Sequence, residues 1–365
     1  MREFLLERYY ARHEFTTPFQ LSASDCESLT VAEVLRLSAT PESEFLQLAL
    51  GYTETRGSPA LREAIARFYP GCDEGDVLVC NAPEEAIFLS MHALLEPGAR
   101  VVVQTPCYQS LKEIARGLGC EVVEWPLRET ATGWRMDLER LESLLAGARL
   151  LVTNAPHNPT GFQPSQEEWR RTLELCANRG VRWFSDEMYR GLEQEPDQAL
   201  APAAVLRADA VTLWGMSKSF GLPGLRIGWL VSRDRELLAR VEGHKDYTSI
   251  CSNAPGEFLA RVALGAAGPI FSRNRTRIAE NERLLEAFVE RHARDLSWLR
   301  PKAGPVSLVR LRDGSAQEYA ERVRVEGGVL LVPSALFDLD DRYLRVGLGR
   351  ASFAQALERW EAAGP

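Results

Sequence analysis

Lys218 is the residue whose surroundings most suggest covalent chemistry. It follows a strand-like apolar run over residues 210–214 and opens a loop rich in Gly and Pro. The loop leads to Arg226, eight residues on, and then to an apolar run through Leu230 and Val231. An amine held at the mouth of a sheet can condense with an aldehyde, and a guanidinium close by can pair with a phosphate. A solvated loop lysine and an ordinary strand-start arginine would show the same spacing, so other parts of the chain have to agree. Two other stretches have a matching design. The run at 149–153 ends in Asn154-Ala155-Pro156-His157-Asn158-Pro159-Thr160-Gly161, and the run at 181–185 enters Asp186-Glu187-Met188-Tyr189. Asn158, Asp186 and Lys218 thus each lie just beyond the carboxyl end of an expected parallel strand, the edge where open α/β sheets hold ligands.

The elements that must position these residues alternate strand and helix. Ser165 is placed to cap a helix to about Asn178, Gly180 stops it, and the 181–185 strand follows, a unit that argues for a doubly wound sheet. Further strands are expected at 76–80 and 101–104, and helices at 84–95 and from Ile270 to about His292. Ser58 with Pro59 reads as a helix start, with Leu61, Ile65 and Phe68 on its packing face. Runs at 304–308, 328–333 and 343–348 read as strands of a smaller C-terminal part. Residues 22–28 (Ser-Ala-Ser-Asp-Cys-Glu-Ser) are too polar for a core strand and read either as the edge of a cleft or as a surface loop before a helix starting near Thr30.

The order Ser217-Lys218, a Gly- and Pro-rich loop, then Arg226-x-Gly228 resembles the lysine region of the fold-type I pyridoxal phosphate enzymes, the aminotransferase class I/II family. Asn158-Pro-Thr-Gly and Asp186-Glu-x-Tyr189 stand in that family's order, and the resemblance covers about residues 45–350. It implies an α/β fold with a mostly parallel central sheet flanked by helices and a smaller α/β C-terminal domain. The expected division is an N-terminal arm at 1–44, a cofactor-binding domain at 45–255 and a small domain at 256–365.

The resemblance also implies roles. Lys218 would form the Schiff base and move the α-proton, with Ser217 beside it. Asp186 would pair with the pyridine nitrogen, Asn158 and Tyr189 would bond the phenolic oxygen, and Arg226 would pair with the phosphate. Tyr108, after Thr105-Pro106-Cys107, would lie on the ring face, although a core tyrosine would look the same. Arg345, in the run Tyr343-Leu344-Arg345-Val346, would clamp the substrate carboxylate, and an edge-strand arginine is the plain alternative. Tyr52, five residues before Gly57, would reach the phosphate of the neighbouring subunit in a homodimer. The turn at Ala82-Pro83-Glu84 stands where a phosphate would rest on a helix N-terminus. It departs from the family's usual Gly and small hydroxyl residues, as Gly215 departs from the usual Ser or Thr three before the lysine. Proline lacks an N–H, and Glu84 and Glu85 bring negative charge towards a dianion.

Amino transfer between an L-amino acid and a 2-oxo acid is the reaction the resemblance implies first. Glu7-Arg8-Tyr9-Tyr10, residues 246–248 and residues 304–307 loosely resemble a branch containing capreomycidine synthase, so β- or γ-elimination or cyclisation is the alternative. A non-catalytic sensor of the cofactor would be expected to carry a basic winged-helix domain before residue 45. Asp25 and Glu27 are candidates to face a cationic substrate, and no second arginine is assignable to a side-chain carboxylate.

Composition is that of a globular chain of about two domains. At 365 residues with 45% hydrophobic and 26% charged residues, it exceeds the size at which one core stops growing. A net charge of −8 without long runs of like charge argues against nucleic-acid binding. No 18-residue apolar window suggests a membrane span. Seven scattered cysteines without a Cys-x-x-Cys pair suggest reduced thiols and a cytoplasmic protein, and the five histidines lack metal-ligand spacing, so no metal is expected.

Overall fold

The computed structural model describes residues 1–364. Its larger sheet has seven strands: β1 Val77–Cys80, β2 Arg100–Thr105, β3 Glu121–Pro126, β4 Leu150–Asn154, β5 Arg182–Asp186, β6 Val211–Gly215 and β7 Gly228–Val231. Their spatial order is β1-β7-β6-β5-β4-β2-β3. Strands β6, β5, β4, β2 and β3 run parallel, and β7 is antiparallel to both of its neighbours. Helices cover both faces, so an inner strand must be apolar on both sides. Every residue of β1, β4, β6 and the antiparallel β7 is accordingly buried.

The crossover helix Gln166–Arg179 starts at a capping box between Ser165 and Glu168 and ends at Gly180 in the left-handed region. Thr30 and Glu33 form a similar box ahead of helix Val31–Leu37. Strand β3 was not anticipated. It sits at the sheet edge with Glu121 exposed and Glu124 half-buried, so its sequence lacks the unbroken apolar run of the inner strands.

A second core surrounds a four-stranded antiparallel sheet. Its strands are β8 Leu296–Trp298, β9 Val306–Leu311, β10 Val332–Pro333 and β11 Tyr343–Gly347, in the order β8-β9-β11-β10. The expected 328–333 strand is split. Val329–Leu330 pairs with Phe19–Gln20 of the N-terminal segment, while β10 pairs with β11. The long helix spans Ala267–Arg291. Before it, Ala254–Gly265 is a further helix packed on Pro59–Ala66, so the larger core continues past residue 255 to Phe271. No helix among the described residues is long and apolar enough to cross a membrane.

The N-terminal segment joins the two cores. Its helix α1, Leu5–His13, contacts the turn after β10, and Val34 and Leu35 enter the larger core while Leu21 and Cys26 enter the smaller. Residues 22–28 are no surface loop: Ser22, Asp25 and Cys26 are buried. Glycines on both sides make this possible. A Cβ at Gly347 would meet the Ala23 carbonyl, and one at Gly221 would come within 2.8 Å of the Glu27 carbonyl, so only hydrogen at these positions lets the polar loop through.

Candidate active site

A cleft of about 410 Å³ opens at the carboxyl edge of β4, β5 and β6, between the two sheets and beneath α1. Asn158, Asp186, Tyr189, Ser217, Lys218, Arg226, Tyr108, Pro83, Glu84 and Arg345 all line it. Each is delivered by a different local device. Asp186 is the last residue of β5, and its Oδ1 accepts a hydrogen bond from the Met188 backbone N–H at 3.1 Å. Burial raises its pKa to about 7, because an ionised carboxylate away from water needs a cation beside it. Asn158 is fixed by its backbone N–H donating to Asn154 Oδ1 at 2.7 Å, and its own Oδ1 accepts from Arg345 Nη1 at 3.1 Å. That bond points the Asn158 amide NH2 away from Arg345.

Lys218 lies three residues past β6. Ser219 donates to the Met188 carbonyl and Asn274 to the Ser219 carbonyl, which pins the loop. The ammonium donates to Ser24 Oγ at 2.7 Å. Burial lowers its pKa, against the attraction of Asp25, and brings the amine closer to the neutral form in which it is a nucleophile and a base. Tyr189 is buried, with its phenol pKa pushed up by burial. Its hydroxyl, with Ser24 as polar neighbour, makes no bond of hydrogen-bonding geometry. Arg345, at the centre of the smaller sheet, is fully buried. It donates to Asn158, the Tyr10 hydroxyl and the Ser22 carbonyl, yet has no carboxylate partner among the described residues and leaves its Nε unbonded. A buried cation without an acid is a receptor for an anion.

Arg226 is exposed, in the left-handed region at φ 55°, and donates to the Pro223 carbonyl at 3.1 Å. Among the described residues it has no ion-pair partner, and it lines both the cleft and an adjoining opening with Tyr52 and Asn81. Tyr52 itself is 93% exposed and does not line the cleft of its own chain.

The unusual turn and Gly215 meet in space. Ala82 has φ 91° and caps helix Pro83–Leu94. A Cβ at Gly215 would lie 2.9 Å from Pro83 Cγ, and one at Gly228 would lie 2.6 Å from Pro83 N. Gly228 Cα and the Ile227 carbonyl oxygen lie 3.0 Å from the same Gly215 position, so the proline ring and the backbone of β7 together leave no room for a hydroxyl residue at 215. Glu85 is turned away: it accepts from the Asn81 N–H and from Thr248 Oγ1. Glu84 faces the cleft, accepts from Ser110 Oγ at 3.1 Å, and burial raises its pKa to about 7.

These residues fit pyridoxal phosphate at its ring. Asp186 can meet a pyridinium, the unbonded Tyr189 hydroxyl and the Asn158 amide can meet a phenolic oxygen, and Arg226 is free for phosphate. Were the phosphate to rest at this turn, Glu84 would make the fit depend on pH. With burial raising its pKa to about 7, its carboxyl would gain charge as pH rises, so cofactor affinity is expected to fall between pH 6 and pH 8.5. One pK unit of such repulsion corresponds to about tenfold. Glu84→Ser should bind cofactor more tightly at pH 8.5 and flatten this dependence. Fluorescence quenching of the cofactor-free protein measures it, and an unchanged pH profile would remove Glu84 from the cradle.

Several residues that complete the cleft had no site role assigned from the sequence: Glu7, Tyr10 and Glu14 from α1 and its end, Ser110 and Arg350, while Ala23, Ser24 and Asp25 line it as the cleft-edge reading of residues 22–28 expects. The i, i+3, i+7 spacing of Glu7, Tyr10 and Glu14 was the available signal, since it places three polar groups on one helix face. Asp25 and Glu27 do not serve as free acids. Asp25 pairs with Arg350 at 2.8 Å, and Glu27 accepts from the Ala351 N–H at 2.7 Å.

Comparison with known proteins agrees with this geometry. The model of the family Aminotransferase class I and II matches residues 17–358. Capreomycidine synthase of Streptomyces vinaceus is 30% identical over 353 residues, covering 95% of this chain and 88% of that enzyme. The crystal structure of a PLP-dependent aminotransferase from Streptococcus suis superposes with a TM-score of 0.92 at 28% identity, covering 99% of this chain and 96% of the other. That of the PLP-dependent cyclase OrfR gives the same TM-score, identity and coverage. A lysine, an aspartate and an asparagine at three adjacent strand ends, facing a buried arginine, are thus set in a fold shared with solved members, and the chain belongs to the aminotransferase class I and II family of pyridoxal phosphate-dependent enzymes.

Proposed function

We propose that this enzyme removes the α-proton of an L-amino acid and transfers its amino group to a 2-oxo acid. The observation that carries the reading is the buried, acid-free Arg345 bonded to Asn158, across the cleft from Lys218. In this reading Arg345 grips the α-carboxylate by charge-assisted hydrogen bonds. That grip turns the Cα–H bond towards Lys218 Nζ, which takes the proton. Asp186 holds a proton on the ring nitrogen, and Tyr189 and Asn158 donate to the phenolic oxygen. The cofactor, when bound, supplies the electron sink.

Elimination or cyclisation uses the same deprotonation, and the relationship to capreomycidine synthase over 95% of the chain favours it as a second reading. One half-reaction separates them. Amino transfer converts the bound cofactor to its pyridoxamine form with an equal amount of 2-oxo acid. A product that has lost a β or γ substituent, or has cyclised, while the pyridoxamine form stays absent, would replace the first reading by the second.

The same proposal includes the arm, larger and smaller units expected from the sequence, and a homodimer in which Tyr52 serves the partner's phosphate. Its exposure on the far side of Arg226 supports this.

A further inference from the structure

We propose that the amino acid handled here carries a positive charge on its side chain, seated between Glu7 and Glu14 of the N-terminal helix. The inference rests on the reading of the site above and adds the substrate class. Among the ionisable groups that line the cleft, most already have a counterpart. Asp25 and Arg350 form an ion pair. Asp186 faces the ring, Arg226 and Glu84 flank the phosphate position, and Arg345 is reserved for a carboxylate. Glu7 and Glu14 remain. Neither forms an ion pair among the described residues, and both line the cleft half-buried.

Their geometry is that of a receptor. Glu7, Tyr10 and Glu14 lie on one face of α1, the two acids about 10 Å apart along the axis. Tyr10, between them, accepts from Arg345 Nη2, so the acidic face borders the carboxylate grip. Tyr108 donates to Glu7 Oε1 at 2.9 Å, which fixes that carboxylate and leaves Oε2 for another donor. The Glu14 side chain has no hydrogen-bond partner among the described residues. Its pKa is raised by burial and by Asp25 and Glu7, a strain a bound cation would relieve. The cleft that Glu7 and Glu14 border is one that takes a ligand: the Tyr189 hydroxyl and Arg345 Nε, both in side chains more than nine-tenths buried, lack partners there, as the cofactor and carboxylate positions above require. Conversely, the one further arginine of the cleft, Arg350, is taken by Asp25. An acidic side chain such as glutamate would meet the like charges of Glu7 and Glu14 on this face.

The test uses the holoenzyme and follows the cofactor absorbance during titration with L-arginine, L-lysine and L-ornithine. L-Citrulline and L-norleucine serve as uncharged counterparts. The cationic amino acids should half-saturate the spectral change at concentrations at least about tenfold lower, the scale of one charge-assisted bond. Glu7→Gln and Glu14→Gln should each erode that preference while leaving cofactor content and the response to citrulline unchanged. Arg345→Ala should weaken arginine and citrulline alike. Equal responses to arginine and citrulline in the unaltered enzyme would overturn the proposal, as would equal losses for both in the glutamine variants. A spectrum unmoved by any amino acid would instead overturn the underlying reading of the site.

Discussion

Lys218→Ala should lower turnover by at least about 10⁴-fold while leaving a protein that still binds pyridoxal phosphate. A positioned general base alone contributes roughly 10²–10⁴, and Lys218 is placed for two tasks, bonding the cofactor and moving the α-proton. The fold does not depend on its charge: among the described residues the ammonium makes one hydrogen bond, to Ser24, and no ion pair. Asp186, Arg226 and Tyr108 stay in place, so retention of cofactor without a covalent link is the expected state. Equilibrium dialysis and stopped-flow turnover check both halves. Turnover within tenfold of the unaltered enzyme would remove Lys218 from the chemistry.

A mixture of inactive chains should regain activity. Tyr52 is 93% exposed and borders the opening beyond Arg226 together with Asn81 and Ser252. Thr53 donates to the Ser252 carbonyl at 2.8 Å, which holds this segment near that opening. In a two-fold symmetric dimer each Tyr52 would enter the site containing the other chain's Lys218. Tyr52→Asp would put a negative charge against the partner's phosphate and disable that site. Each mixed dimer with Lys218→Ala then contains one site with both defects and one with neither. Random reassortment of equal amounts should restore about one quarter of the sites. No recovery after demonstrated subunit exchange would place Tyr52 in its own chain's site or outside both.

The strand ends were readable because inner parallel strands must be apolar on both faces. The runs at 149–153, 181–185 and 210–214 could be seen as strands without any partner, and Asn158, Asp186 and Lys218 followed as the polar residues just beyond them. Strand β3 escaped because an edge strand tolerates Glu121 and Glu124. The roof of the cleft was legible only as one of two readings. Residues 22–28 resemble a surface loop in composition, yet Ser22, Asp25 and Cys26 are buried, and the segment approaches Gly221, Gly347 and Gly349 through contacts that span up to 324 positions of chain. The partners of Tyr10 and Glu7, at Arg345 and Tyr108, are likewise long-range. Sequence periodicity carries no record of such contacts. The Ala82-Pro83 turn and Gly215, separate departures in the sequence, are neighbours in space: the Pro83 ring and the backbone of Ile227 and Gly228 occupy the position a Gly215 side chain would need.

The most direct test of the account is to reduce the holoenzyme with borohydride, digest it, and locate the cofactor by mass spectrometry. The account predicts a single modified peptide with the pyridoxyl group on Lys218. Attachment to another lysine, or no covalent attachment under conditions where the protein retains its cofactor, would contradict it.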